Sequence, residues 1–270
     1  MKKTGLIIIL YVSTIIFILF TGHFFIDFTT QYFSDYHARF IIGFILRGVL
    51  IVLSIILLKK LNLFPFSGLN TPLKISNPTA LIIPVVIIGV AIVSNKELYL
   101  AVSNLDLLLF LVTNVLVGIF EEISMRGVIL PLFLKWFNLK NKAFFKSVIL
   151  SSLIFGVLHY TNMYNSEHYA FDIATSQVII AFCIGVYFCG LFFRTGNILS
   201  SMLIHAAFNI AFGTEILQEI RDGVKPPTGT EVNSFMELLP TLIIFGTIVL
   251  IGLLMVKFSD KESFIKKLKQ

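Results

Sequence analysis

Gly118-Ile-Phe-Glu-Glu-Ile-Ser-Met-Arg-Gly127 decides how this sequence is read. It sets two adjacent carboxylates, Glu121 and Glu122, and one guanidinium, Arg126, inside a mostly apolar stretch running from Leu107 to Phe137. A charge in hydrocarbon costs at least about 2.5–3.5 kcal/mol on insertion scales, so an ionisable group there is a functional candidate by default. Three of them within six residues need a strong reason to be there.

The composition outside this stretch makes the surroundings a bilayer. The 270 residues are 57% hydrophobic and 13% charged, with a mean hydropathy of +0.92. A soluble globular domain carries about 25% charged residues, so that class is excluded and the sequence reads as a polytopic membrane protein. Eight apolar runs stand out, near 5–22, 40–58, 80–94, 105–137, 146–162, 174–193, 197–213 and 237–256. Several approach the ~20 residues a spanning helix needs. The expected fold is an all-α polytopic membrane helical bundle of about eight transmembrane helices. No repeat or second domain is visible, so 1–270 reads as a single integral membrane domain, with 105–213 as its motif-bearing core. Met1-Lys-Lys and the following run imitate a signal peptide but lack a small-x-small cleavage site, so a retained first span is expected.

Orientation follows from Lys and Arg. With the N-terminus inside, the inner segments carry Lys2, Lys3, Lys59, Lys60, Lys74, Lys135, Lys140, Lys142, Lys146, Arg194, Lys257, Lys261, Lys266, Lys267 and Lys269; the outer segments carry only Arg39, Lys96, Arg221 and Lys225. The positive-inside rule therefore places both termini in the cytoplasm. The net charge of +6 is a topology signal and not a nucleic-acid footprint. The outer connections are short and acidic, and none resembles a folded soluble domain. Residues 61–79, rich in Pro, Gly and Asn, read as an irregular interfacial linker. Cys183 and Cys189 share one apolar run and read as small buried hydrophobes.

Arg47 is the other charge inside an apolar run, too far from Lys59 and Lys60 for easy snorkelling. A structural pair with a carboxylate or carbonyl is its favoured reading, ahead of a substrate-facing role.

On a helix turning about 100° per residue, Glu122 and Arg126 share a face and can pair, whereas Glu121 points about 100° away. Asn114 and Ser124 fall near Glu121's face. The run 105–137 exceeds the ~30 Å hydrocarbon core, so the helix must tilt or break, with Gly127 and Pro131 as candidate places. Two later runs carry matching polar stripes: Ser152, Phe155 and His159, then Ser201, His205 and Asn209. His23, His37 and His168 fall in outer loops and read as solvated. Two membrane histidines with polar companions, plus a buried carboxylate, point to a shared polar cavity. Its parts suit hydrolysis without an acyl-enzyme. Glu121 could take a proton from water that His159 holds, while His205 and Asn209 donate to the developing oxyanion. Glu122 and Arg126 would support the helix. The same Glu121, His159 and His205 could instead ligate a divalent metal such as zinc, with water in the open position. A shared site requires His159, near the outer end of its short span, to reach the depth of Glu121.

Glu121-Glu-x-x-x-Arg126, Phe155-x-x-x-His159 and His205-x-x-x-Asn209 resemble the three motifs of the CPBP (Abi) family of intramembrane proteases, which includes the CAAX prenyl endopeptidase and bacterial bacteriocin-processing and self-immunity proteins. The resemblance covers about 105–213. It implies an intramembrane endopeptidase in which Glu121 and His159 activate water, His205 and Asn209 support the oxyanion, and Glu122 and Arg126 are structural. It also favours a glutamate mechanism that requires no cofactor. The substrate would be a membrane-associated peptide or protein, entering laterally or from the cytoplasmic side of what reads as a bacterial plasma membrane. The alternative within the family is a non-catalytic self-immunity or scaffold protein that binds a membrane-protein partner. A proton-coupled transporter, the third reading, lacks repeated halves and paired broken helices.

Overall fold

Each of the eight apolar runs folds as helix in the computed structural model, which describes residues 2–69, 77–164, 171–223 and 235–269. In sequence order the helices are α1 (Lys2–Thr29), α2 (Asp35–Lys60), α3 (Phe64–Ser67), α4 (Ile82–Ser94), α5 (Lys96–Leu100), α6 (Asn104–Glu122), α7 (Leu130–Trp136), α8 (Asn141–Leu158), α9 (Phe171–Thr195), α10 (Ile198–Phe212), α11 (Glu215–Asp222), α12 (Phe235–Lys257) and α13 (Lys261–Lys269). Among the described residues, five helices are long and apolar enough to cross a bilayer: Lys3–Thr29, Asp35–Lys60, Asn104–Trp136, Lys142–Met163 and Ala174–Thr195. The pair Ile243–Lys257 and Lys261–Lys269, bent by 68°, makes a sixth if taken as one span. The runs near 80–94 and 197–213 lie in shorter helices, Pro78–Ser94 and the 15-residue α10. The protein is thus a multi-pass, all-α membrane bundle. Its outer faces carry large apolar side chains such as Phe17, Val52, Val90 and Leu108, all more than half exposed. Water would penalise that surface and hydrocarbon accommodates it.

α9 sits at the centre, against α8, α10 and α12, while α10 lies along α6. Small residues allow the closest approaches: a Cβ on Gly252 would meet the Val186 carbonyl oxygen at 2.8 Å, and one on Gly190 would strike the backbone of Gly252. Local signals start the helices that carry the site. Ser103 caps α6 by accepting from the Asp106 N–H at 3.2 Å and donating to its carboxylate at 2.6 Å, a reciprocal cap of the Ser-x-x-acid type. Asn197 caps α10, accepting from the Leu199 N–H at 2.8 Å.

The long fourth run neither kinks at Pro131 nor breaks at Gly127. Ile123–Ile129 instead forms a π-helical segment, all seven residues buried, that joins α6 to α7 as one 33-residue helix. Widened turns of this kind concentrate at functional sites, and this one begins immediately after Glu122. It also removes Ser124 from the expected stripe. The Tyr11 hydroxyl donates to Ser124 at 2.9 Å and lies 2.7 Å from Ser54, whose hydroxyl also donates to the Leu50 carbonyl. These hydroxyls tie α1, α2 and the π segment together. Tyr11→Phe is expected to lower stability by about 0.5–1.5 kcal/mol without changing any chemistry at Glu121. Thermal unfolding in detergent measures this.

Two further expectations change. The linker near 61–79 is not simply interfacial, because Leu63 and Phe66 are fully buried and Phe66 packs on Phe192 and Phe264 at 5.3 and 5.4 Å; 70–76 lie outside the described residues. His23 is helical within α1, and His37 lies at the start of α2, 3.3 Å from Asp106, so neither is a loop histidine. The helices extend past the hydrocarbon boundary assumed from hydropathy. His168 lies outside the described residues. Cys183 and Cys189 are both buried and unbridged, as expected.

Candidate active site

The pair read from i,i+4 spacing is present: Arg126 donates to Glu122 at 2.9 Å, and both residues are buried. Arg126 also donates to the Gly185 carbonyl of α9 at 2.8 Å, and its guanidinium lies 5.2 and 5.5 Å from the Phe155 and Phe188 ring centres. Two aromatic faces and a helix carbonyl thus hold the cation where water is excluded. Nothing in the sequence singles out Gly185 or Phe188, because a backbone acceptor has no side-chain signature and α9 is rich in Phe.

His205 joins the two carboxylates. Its Nδ1 is 2.9 Å from Glu122 Oε1 and its Nε2 is 3.2 Å from Glu121 Oε2. Its ring lies 4.7 Å from Phe188 and meets Phe155 edge-on at 5.9 Å. Each nitrogen–carboxylate contact needs a proton between its heavy atoms, so the ring and its partners hold two protons, one more than a neutral imidazole supplies. Two carboxylates, one guanidinium and that additional proton sum to zero charge, wherever the proton resides. This arrangement satisfies the need for paired charge in hydrocarbon. It also leaves no nitrogen of His205 open to a metal. Among the described residues no group of three His, Cys, Asp or Glu side chains is placed to hold a metal ion, so the set Glu121, His159 and His205 does not fit one as arranged.

Glu121 differs from Glu122 in access, as their 100° separation implied. Its side chain is 21% exposed where that of Glu122 is 0%. That exposure faces a cavity of about 300 Å³ lined by Glu121, His159, Arg47, Arg39, Thr113 and Asn162 among others. The cavity runs along α1 from Ile15 to Ile26 and along α2 from Arg47 back to Arg39, so it extends from mid-helix toward the α1–α2 turn. His159 and Glu121 therefore share one cavity despite their different positions along their helices. His159 Nδ1 is 2.9 Å from the Phe155 carbonyl oxygen. A carbonyl only accepts, so Nδ1 carries a proton and donates it to that carbonyl, which leaves Nε2 as the ring nitrogen without a partner in this contact.

Asn209, Asn114, Ser152 and Ser201 lie outside that cavity lining. Asn209 is one turn beyond His205 on α10, half-buried, with no side-chain hydrogen bond among the described residues. Asn114 donates to the Phe110 carbonyl at 2.9 Å. Ser152 is buried beside Cys189, and Ser201 is buried without a hydrogen-bond partner among the described residues, so neither has an activating base. Arg47 makes no hydrogen bond or ion pair among the described residues, although it interacts electrostatically with Glu121. Among the described residues the structural pair expected for it is absent.

One glycine fixes the separation of the carboxylates from His205. A Cβ on Gly118 would meet the Ala206 backbone nitrogen at 2.8 Å and its Cα at 3.0 Å. Gly118→Leu is expected to push α6 from α10, stretch both His205 contacts and lower activity at least about tenfold, since displacements near 1 Å cost up to about a hundredfold. The comparison is the rate of wild type and variant at matched folded abundance.

No curated protein and no solved structure matches this sequence. Residues 102–211, which hold every member of the cluster described above, match the family model described as type II CAAX prenyl endopeptidase Rce1-like, a likeness that supports the CPBP, CAAX protease-like family for this part of the protein.

Proposed function

We propose that the protein is an intramembrane endopeptidase that hydrolyses a membrane-associated peptide or protein with water activated by Glu121 and His159. The observation that carries this reading is one carboxylate, partly exposed beside a cavity that His159 also lines, while its neighbour Glu122 is sealed in a buried pair. Division of labour between two adjacent carboxylates is what general-base chemistry beside a structural ion pair requires.

In the proposed reaction the water oxygen attacks the scissile carbonyl carbon while Glu121 takes its proton. The Nε2 of His159 accepts a hydrogen bond from the same water and orients it. As Glu121 becomes protonated it releases the proton shared with His205. His205 can then turn that N–H toward the oxyanion, with the unpartnered Asn209 amide one turn away. Collapse of the tetrahedral intermediate breaks the C–N bond, and Glu121 returns its proton to the leaving amine. Glu122, Arg126 and the two phenylalanine faces hold His205 throughout. No step uses a metal.

Entry from the cytoplasmic side is not favoured. The cavity's far lining, Arg39, Thr161, Asn162 and Ile216, lies by the α1–α2 turn and α11, away from the Lys-rich ends. With cytoplasmic termini in a bacterial plasma membrane, substrate would enter laterally or from the non-cytoplasmic face.

The test compares peptide termini by mass spectrometry in membranes of cells expressing wild type, Glu121→Gln or His159→Ala at matched abundance. A defined set of cleavages confined to the wild type is expected. Unchanged termini, with variants that still protect cells or retain the same partner, would sink the hydrolase and leave an immunity or scaffold protein.

A further inference from the structure

We propose that Arg47 is the carboxylate-binding residue of the cavity, holding a carboxylate of the substrate across from Glu121. The identification of that ligand as substrate rests on the hydrolase reading; the charge it must carry does not.

Arg47 lies near the middle of the 26-residue α2, about as far from hydrocarbon's edges as the helix allows. It lines the cavity beside Glu121, beyond ion-pair distance from it and without a hydrogen-bonding partner among the described residues. The other membrane-embedded guanidinium, Arg126, is neutralised inside the sealed cluster. Arg39, at the outer end of the same cavity, is held by Glu219 at 2.6 Å and Asp35 at 3.0 Å. The cluster of Glu121, Glu122, Arg126 and His205 sums to zero without Arg47, and the two carboxylates at the outer end are engaged by Arg39, so at the inner end of the cavity Arg47 has no directly paired anion among the described residues. Such a charge at mid-membrane is costly unless an anion completes it.

The backbone is shaped for this group. A Cβ on Gly43, one turn earlier on α2, would collide with the Arg47 Nη1, so the absent side chain is what lets the guanidinium lie where it does. A planar guanidinium takes a carboxylate through two parallel hydrogen bonds. One carboxylate matches the single charge of Arg47, whereas a phosphate carrying two would leave negative charge beside Glu121. A cavity of about 300 Å³ is at the small end of ligand sites, so a carboxylate fixed at Arg47 also sets which nearby peptide bond reaches Glu121. The carboxylate could be a peptide's terminal carboxyl group or an Asp or Glu side chain near the scissile bond.

The experiment measures binding, not cleavage. Full-length protein in lipid nanodiscs is titrated with three N-methylated, uncleavable probes: acetyl-Leu-Ala-Leu as the free acid, the same peptide as its carboxamide, and acetyl-Leu-Glu-Leu carboxamide. Wild type is expected to bind one of the carboxylate probes at least about tenfold more tightly than the uncharged carboxamide. The free acid winning identifies a terminal carboxylate; the Glu-containing carboxamide winning identifies a side-chain carboxylate. Arg47→Gln abolishes the preference, Arg47→Lys keeps part of it, and Gly43→Ala reduces it while leaving the charge in place. If Arg47→Gln does not fold, the Lys and Gly43→Ala variants carry the comparison. Equal binding of all probes by wild type, no binding of any, or a preference undiminished in these variants overturns the proposal. Cleaved termini without charge preference would remove this inference alone, and charge preference without cleavage would remove the hydrolase reading alone.

Discussion

Arg126→Met is expected to destabilise the protein by about 3–5 kcal/mol, the usual penalty for removing one partner of a buried ion pair. Glu122 has no exposure, and one of its oxygens already lacks a partner. Without Arg126 it keeps only the His205 contact, and the Gly185 carbonyl loses its side-chain donor. Equilibrium unfolding in mixed detergent micelles measures the loss. Arg126→Lys should recover the charge but not the forked contact that reaches Glu122 and Gly185 together, and so falls between the two. The decisive comparison is the double change Glu122→Gln with Arg126→Met. The amide oxygen introduced by Glu122→Gln can still accept from His205 Nδ1, and no unpaired charge remains, so most of the lost stability should return. A double variant as unstable as Arg126→Met would show that packing of the guanidinium between Phe155 and Phe188 matters more than its charge.

What the sequence made legible is what depends on local spacing. The i,i+4 spacing of Glu122 and Arg126 fixes a helical pair, and the pair is there at 2.9 Å. Ser103 and Asp106, or Asn197, announce helix starts through local hydrogen bonds. Hydropathy locates helices because hydrocarbon tolerates little else, yet it says less about their lengths, which is why 80–94 and 197–213 looked like spans equal to the others. What stayed hidden depends on three-dimensional proximity. His205 was read as an oxyanion donor from its stripe with Ser201 and Asn209, and no spacing could reveal that both its nitrogens would meet carboxylates more than eighty residues away. The π-helical segment was invisible because its i,i+5 bonds follow from packing around buried Arg126 and Ser124, not from a residue preference. Ser124, assigned to Glu121's face by α-helical periodicity, was lost to Tyr11 and Ser54 for that reason. Arg47 looked like one half of a structural pair because a mid-membrane cation normally is; only the cavity and the bare Cα of Gly43 distinguish it.

Glu121→Gln should reduce peptide cleavage by about 10²–10⁴-fold, the usual contribution of a positioned general base, while leaving the fold intact. The two parts of that expectation have separate structural causes. A carboxamide oxygen can still accept from His205 Nε2 at the 3.2 Å separation seen for Glu121 Oε2, so the contact that orients the ring survives. The change removes one negative charge from a cluster that sums to zero, so unfolding free energy falls, but by less than for Arg126→Met because Glu121 borders the cavity and no carboxylate is left without its cation. Neither oxygen nor nitrogen of a glutamine amide, however, can take a proton from water near neutral pH. Glu122→Gln is the informative partner. It removes charge from a fully buried acceptor that serves both Arg126 and His205, so its loss of activity should track its loss of folded protein. Rates normalised to folded protein separate the two: a large residual defect for Glu121→Gln and a small one for Glu122→Gln place the base at position 121. The opposite pattern would move the chemistry into the sealed cluster, and equal defects would mean that His205, not either carboxylate alone, sets the rate.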